Sequence, residues 1–310
     1  MKFIASLHCQ NILQDVGIPC YHFVFELNPC YRWRKLCLKY VYFTKNTFMI
    51  ELLHNINQPY LGLPKFMAQD RIQSKFDRII GGKVASAMIP WQVSISTGGW
   101  ENMHYCGGSI LDSKTILTAK HCYPNEDQKI MNMVRAGSKD NWKGGQLVEV
   151  EKWIEYPKKM DPNTNENDIY ILKLKTPLKF NDDVKPICLA TKDPADGAKC
   201  YISGWGVSKT GNMNPERYLK WDSEPIATQK HCEQTFGYSN VPSLICSGGD
   251  KANEGTCQGD SGGPLVCLEG GKPVLVGALG MGAGKCEEKN PSLWARVSKF
   301  SAWIKANMEK

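Results

Sequence analysis

No run of about 18 apolar residues occurs in the 310-residue chain, so nothing in it reads as a membrane-spanning helix, and a soluble protein is expected. An apolar leader is thin as well. Only Phe3 to Leu7 forms an apolar patch before His8 and Cys9, short of the roughly 7 to 15 residues of a secretory signal. Paired C-x-x-C spacings are missing, which removes the usual zinc signature. Internal repeats and low-complexity tracts are absent too. Charge of one sign is scarce from Ile79 onward, where 28 lysines and arginines face 26 aspartates and glutamates. That balance does not point to nucleic acid. The first 78 residues hold ten basic against five acidic residues, but Arg32, Arg34 and Lys35 are interleaved with Tyr31 and Trp33 and read as an ordinary solvated segment.

What the chain does have is cysteine. Thirteen are many for a reducing compartment, so an oxidising one is expected, and with it a secreted, extracellular protein. The composition shifts near residue 78. Upstream, short apolar stretches are broken by Pro19, Pro29, Pro59 and Pro64, no fold is assigned, and residues 1–78 are read as a signal or propeptide region. Downstream, residues 79–310 carry short β-branched and aromatic segments bounded by turn residues. Examples are Gln92 to Ser96, Ser109 to Leu111, Leu147 to Ile154, Ile169 to Leu174, Lys199 to Ser203 and Val274 to Leu279. This spacing reads as an all-β barrel or sandwich. Only the end is helical in pattern, with Val297, Phe300, Trp303, Ile304 and Met308 on one face.

The chemistry lies in three motifs. Gly259-Asp260-Ser261-Gly262-Gly263-Pro264 sets a serine among small residues and backbone donors. A serine hydroxyl is a poor nucleophile at neutral pH, so it needs a histidine base and a carboxylate to orient that base. Leu117-Thr118-Ala119-Lys120-His121-Cys122 and Asn167-Asp168-Ile169 offer both. Alone, Asp168 reads equally well as a strand cap, and His8, His22, His54, His104 and His231 read as ordinary surface or core residues. Together, and in the chain order His, Asp, Ser, the motifs resemble the chymotrypsin-family (trypsin-like) serine proteases. The resemblance runs from Arg78 to the end of the chain.

That resemblance implies two packed six-stranded antiparallel β-barrels with a C-terminal α-helix. It implies a catalytic triad of His121, Asp168 and Ser261, and an oxyanion hole formed by the backbone amides of Gly259 and Ser261. Phe76-Asp77-Arg78 before Ile79-Ile80-Gly81-Gly82 resembles a zymogen junction, where cleavage after Arg78 frees an amino terminus at Ile79 to pair with Asp260. Family positions imply disulfides Cys106 with Cys122, Cys200 with Cys267, Cys232 with Cys246, and Cys257 with Cys286. Cys188 is left to tether the upstream segment through Cys20, Cys30 or Cys37, with the partner open.

The same resemblance locates the primary specificity pocket. Its base falls at Gly255, six residues before Ser261, beside Thr256, and its walls at Gly280, Met281, Gly282 and Ser292. A carboxylate at the base selects Arg or Lys, and Gly255 has none. Glu254 is adjacent but points elsewhere on this reading. An apolar or small P1 residue is therefore expected, with Gly282 leaving the entrance open and Ser292 narrowing the interior. Three departures stand out: Lys120 replaces a small alanine, Gly280 lacks a hydroxyl that would meet Asp168, and Met281 replaces an aromatic floor. They motivate a competing reading, a weakly active or non-catalytic binding homologue of the same fold. No cofactor or metal is expected, and the loop after Gly137 lacks the spaced acids of a calcium site. Expected partners are a peptide or protein substrate, an activating trypsin-like protease and a protein inhibitor.

Overall fold

The β-branched segments pair into two antiparallel sheets in a computed structural model that describes residues 38–44, 47–52, 83–98, 103–123, 132–207, 214–239, 241–249, 255–282 and 291–308. The chain divides into two units, Met1–Gly62 and Leu63–Lys310. The first contains an antiparallel hairpin, β1 (Leu38–Thr44) and β2 (Thr47–Leu52), in the region to which the sequence assigned no fold. The second opens with the short β3 (Lys83–Val84).

Six strands then close a barrel: β4 (Gln92–Thr97), β5 (His104–Asp112), β6 (Thr115–Thr118), β7 (Asn132–Ala136), β8 (Gln146–Glu155) and β9 (Tyr170–Leu174), in the order β4-β5-β6-β9-β8-β7. Inward-pointing Val93, Ile95, Ile110, Ile116, Val134, Leu172 and Leu174 fill it, as the period of two along each strand requires.

The second sheet is built from β10 (Cys188–Leu189), β11 (Lys199–Gly204), β12 (Lys220–Pro225), β13 (Leu244–Gly248), β14 (Pro264–Glu269), β15 (Lys272–Met281) and β16 (Pro291–Arg296). Its order is β13-β16-β15-β14-β11-β12-β3, with β10 parallel to β15. This sheet is a half-barrel, which with the closed barrel makes up the two barrel-like sheets expected. The gap between β12 and β13 is spanned by one isolated bridge, Ile226 to Ser247, and by the Ala227 N–H donating to Cys246 O at 3.0 Å. Pro225 ends β12 and has no N–H to extend that ladder.

Two helices complete the unit. Helix α1 (Gln229–Phe236) starts at Thr228, whose hydroxyl accepts from His231 N, and stops at Gly237 with φ of 70°. Helix α2 (Val297–Asn307) buries Val297, Phe300 and Ile304, the face its periodicity marked. Tyr156, from the end of the first barrel, packs edge-on against Phe300 and Trp303. The largest buried cluster runs between the sheets, joining Leu117, Ile169 and Ile171 to Trp205, Val266, Leu275 and Phe300. Both segments that carry His121 and Asp168 leave from this seam.

Candidate active site

His121 sits in a short 3-10 turn, Lys120–Cys122, that follows β6 directly. A disulfide from Cys122 to Cys106 ties the turn to β5. Asp168 precedes β9 at the end of a loop in which Asn165 and Asn167 take positive φ, a conformation asparagine tolerates best among residues with a side chain. The loop aims the Asp168 carboxylate, 1% exposed, at the histidine. One oxygen accepts from the His121 backbone N–H at 2.9 Å and the other meets Nδ1 at 2.7 Å. A carboxylate only accepts, so Nδ1 carries the proton and Nε2 is left with its lone pair.

Ser261 is partly exposed and lies in a tight turn closed by Asp260 N to Cys257 O and Gly263 N to Asp260 O. The turn is clasped to the histidine segment. Gly107 N donates to Ser261 O at 2.7 Å, Thr118 Oγ1 donates to Gly107 O at 2.8 Å, and a Cβ on Gly262 would stand 2.9 Å from Ala119 N. Only glycine fits at 262, since φ is +72° and that Cβ would also strike Thr118 Oγ1. Among the described residues Ser261 Oγ makes no hydrogen bond, which is common before substrate tightens such a site.

The loop before the serine is held by buried polar groups. Gly259 has φ of +93° and its carbonyl accepts from His104 Nε2 at 2.8 Å. That fixes the tautomer of His104, so its Nδ1 accepts from Ser94 Oγ at 2.7 Å. Burial pushes the His104 pKa down to about 4, partly offset by the bond to Gly259, so the ring is neutral across ordinary pH. The sequence reading took His104 for an ordinary histidine. Its alternation with Cys106 on β5, which puts both on one face, was the available signal.

Asp260 points away from the serine into the second sheet and is 4% exposed. Burial raises its pKa to about 6, against the lowering effects of backbone N–H donors from Cys257 at 3.1 Å and Gly206 at 2.8 Å and of the Lys220 charge. Gly206 is required: a Cβ there would lie 2.2 Å from the Asp260 carboxylate. Gly206→Ala is therefore expected to displace Asp260 and with it the Gly259 and Ser261 amides. The measured loss in kcat/KM should be at least about a hundredfold, the size of a lost oxyanion donor.

At the pocket, Thr256 Oγ1 and Ser292 Oγ share a hydrogen bond of 2.7 Å, both residues being buried. A Cβ on Gly282 would come within 3.0 Å of Thr256 O, so the two segments pass close together. Gly280 lies against Asp168, with 3.1 Å between its would-be Cβ and Oδ2. Met281 is partly buried and packs on the cluster around Tyr238 and Leu293. Lys120 turns outward to an ion pair with Glu155, so its charge does not enter the packed region behind His121. Exposed pairs of this kind are worth about 0 to 1 kcal/mol. Lys120→Ala should leave kcat/KM within about threefold, and a tenfold loss in steady-state assays would show the pair to matter.

Disulfides also join Cys200 to Cys267 and Cys232 to Cys246. Cys188 and Cys257 are disulfide-bonded as well. Arg78, Ile79, Glu254 and Cys286 lie outside the described residues. Grouped metal-ligand atoms, among the described residues, occur only at Cys106, His121 and Cys122, which belong to the disulfide and the triad geometry. No helix among them is long and apolar enough to cross a membrane.

A family model described as Trypsin fits residues 79–304. The chain belongs to the trypsin family. It is 35% identical over 231 residues to trypsin alpha of Drosophila melanogaster, covering 73% of this chain and 86% of that protein. It is 33% identical over 229 residues to serine protease 1 of Canis lupus familiaris, covering 74% and 89%. Among solved structures it is similar to neuropsin, described as a serine protease expressed in the limbic system of mouse brain. That match has a TM-score of 0.65 and 29% identity, over 74% of this chain and 99% of the other. Membership makes the chain a serine endopeptidase acting on peptide or protein substrates.

Proposed function

We propose that this family member is a secreted zymogen which, once cleaved after Arg78, hydrolyses peptide bonds on the carboxyl side of apolar or small residues. The observation that carries the reading is the doubly bonded His121–Asp168 pair together with a serine turn clasped, through Gly107 and Thr118, to the segment that leads to His121. With Nδ1–H committed to Asp168, Nε2 takes the proton from Ser261 Oγ as that oxygen attacks the scissile carbonyl, then passes it to the departing amine. The Gly259 and Ser261 amides stabilise the oxyanion, and a water attacks the acyl-enzyme through the same base. In the uncleaved chain Asp260 is a buried acid that two amide donors and Lys220 compensate only in part; the Ile79 ammonium would complete the pairing.

Gly255 and the hydroxyls of Thr256 and Ser292 supply a neutral, narrow pocket. Secretion is supported by the disulfides, and Cys188 would keep the upstream segment attached after cleavage. The trypsin-treated protein, profiled against a peptide library at pH 6.5, should cut after small and medium apolar residues. A dominant preference for Arg or Lys at that pH would overturn the pocket assignment.

A further inference from the structure

Strand β12 reads Lys220-Trp221-Asp222-Ser223-Glu224-Pro225, and it turns its acids inward. Glu224 is 1% exposed. Its Oε2 accepts from Ser247 Oγ at 2.5 Å, and Ser247 Oγ in turn accepts from Trp294 Nε1 at 2.9 Å. Among the described residues its Oε1 has no hydrogen-bond partner. A buried carboxyl with one idle oxygen is costly in either protonation state, so its retention calls for a reason.

The surroundings of Glu224 point toward the substrate. Ser247 on β13 lies directly opposite Ser292 on β16, which puts both side chains on one face of the sheet. Ser292 Oγ bonds Thr256 Oγ1, the neighbour of Gly255. Thr256, Trp294 and Asp260 line one crevice, and Trp294 is held by the serine that Glu224 holds. Glu224 and Ser247 thus sit beside the Thr256–Ser292 pair of hydroxyls, linked to it by the cross-strand pairing of Ser247 with Ser292 and by Trp294.

We propose that Glu224, set behind the pocket floor, is a second specificity-determining group, which admits a P1 arginine or lysine when it is ionised. The inference rests on the pocket assignment above and adds to it a dependence on pH. The charged groups acting on Glu224 are the acids Asp222 and Asp260, while Lys220 acts on Asp260. No cation on β12 or its neighbours is bonded to the Glu224 carboxylate. Burial first, then the two acids, push the Glu224 pKa up to about 8 against the lowering effect of Ser247. Below that pH the carboxyl is neutral and the floor offers only hydroxyls, which suits an apolar or small side chain. Above it a buried negative charge stands one residue layer behind the floor, and the cation best able to offset it is one brought by the substrate.

The test compares paired peptides that differ only in arginine or citrulline at P1, a charged and a neutral side chain of nearly equal size. Arginine stays charged throughout the range used. The ratio of their kcat/KM values cancels the ionisation of His121 and of the new amino terminus, because both substrates depend on these equally. Fluorophosphonate labelling of Ser261 is recorded first, so that an inactive preparation, which would count against the protease reading, is not mistaken for failure of this one. In the trypsin-treated wild-type protein the ratio should rise about tenfold between pH 6.5 and 9.5. In Glu224→Gln, which keeps an acceptor for Ser247, it should stay flat. A flat wild-type ratio, or an equal rise in the variant, overturns the proposal. If the variant does not fold, infrared spectra of the wild-type protein decide. A protonated-carboxyl band lost over the same pH interval, and lost earlier with an arginine-like ligand bound, supports the assignment; no such band, or one unmoved by the ligand, overturns it.

Discussion

Ser261→Ala should lower the kcat/KM of the trypsin-treated protein about a million-fold, the scale on which a nucleophile acting as part of a triad is lost. Alanine removes one oxygen that, among the described residues, makes no hydrogen bond, and Ser261 is partly exposed. Stability should therefore move by less than about 0.5 kcal/mol. Loss of rate with an unchanged thermal midpoint separates chemistry from folding. His121→Ala should cost a similar factor, since Nε2 is the base. The double variant should be no worse than either single one, because groups that act in a single step are not additive. A residual rate within a hundredfold of wild type in Ser261→Ala would mean that peptide hydrolysis proceeds elsewhere.

Arg78→Gln should leave the protein inactive after treatment with trypsin, at least about a thousandfold below the cleaved wild-type chain. Asp260 explains the size of the effect. Burial raises its pKa to about 6, well above the ordinary aspartate value, so the fold holds its charged form at a cost. The stability that the raised pKa contributes is fully present below pH about 4 and is lost as pH rises through about 6, so at neutral pH a buried charge that two amide donors and Lys220 offset only in part costs roughly 3 kcal/mol. On the proposed reading, a new ammonium at Ile79 would reverse that sign and fix the Gly259 to Ser261 turn, whose other supports are His104 and Gly206. Cleaved wild-type fragments should stay together on a non-reducing gel and part on reduction, through Cys188. Activity in Arg78→Gln equal to wild type would show that no cleavage at this bond is needed.

The candidate triad is legible in the sequence because its chemistry admits few residue types, while Arg78 and Ile79 of the expected activation junction lie outside the described residues. Ser261, His121 and Asp168 offer a nucleophile, a base and an orienting acid, and glycine at 259 and 262 suits the positive φ found there. The strands of both sheets could be read as well, since Val93, Ile95, Ile171 and Leu275 alternate or cluster as buried strands must. Glu224 and Asp222 could not. Alternation along β12 assigns Lys220, Asp222 and Glu224 to solvent and Trp221 to the core, yet both acids are buried. Their burial follows from partners far away in sequence, Ser247 for one, which no local pattern contains. The closing of the second sheet by a single bridge depends likewise on register. Helix α1 is a different kind of miss. Thr228 and Gly237 are ordinary start and stop signals, but the eight residues between them carry few apolar side chains, so no periodic stripe draws the eye.

The most direct test of the central claim is labelling by a fluorophosphonate probe after treatment of the purified full chain with trypsin. The account predicts stoichiometric modification of Ser261, seen by peptide mass mapping, that appears only once the Arg78–Ile79 bond is cut. Clean cleavage at that bond with no label on Ser261 would contradict it, and would favour a binding homologue of the same fold.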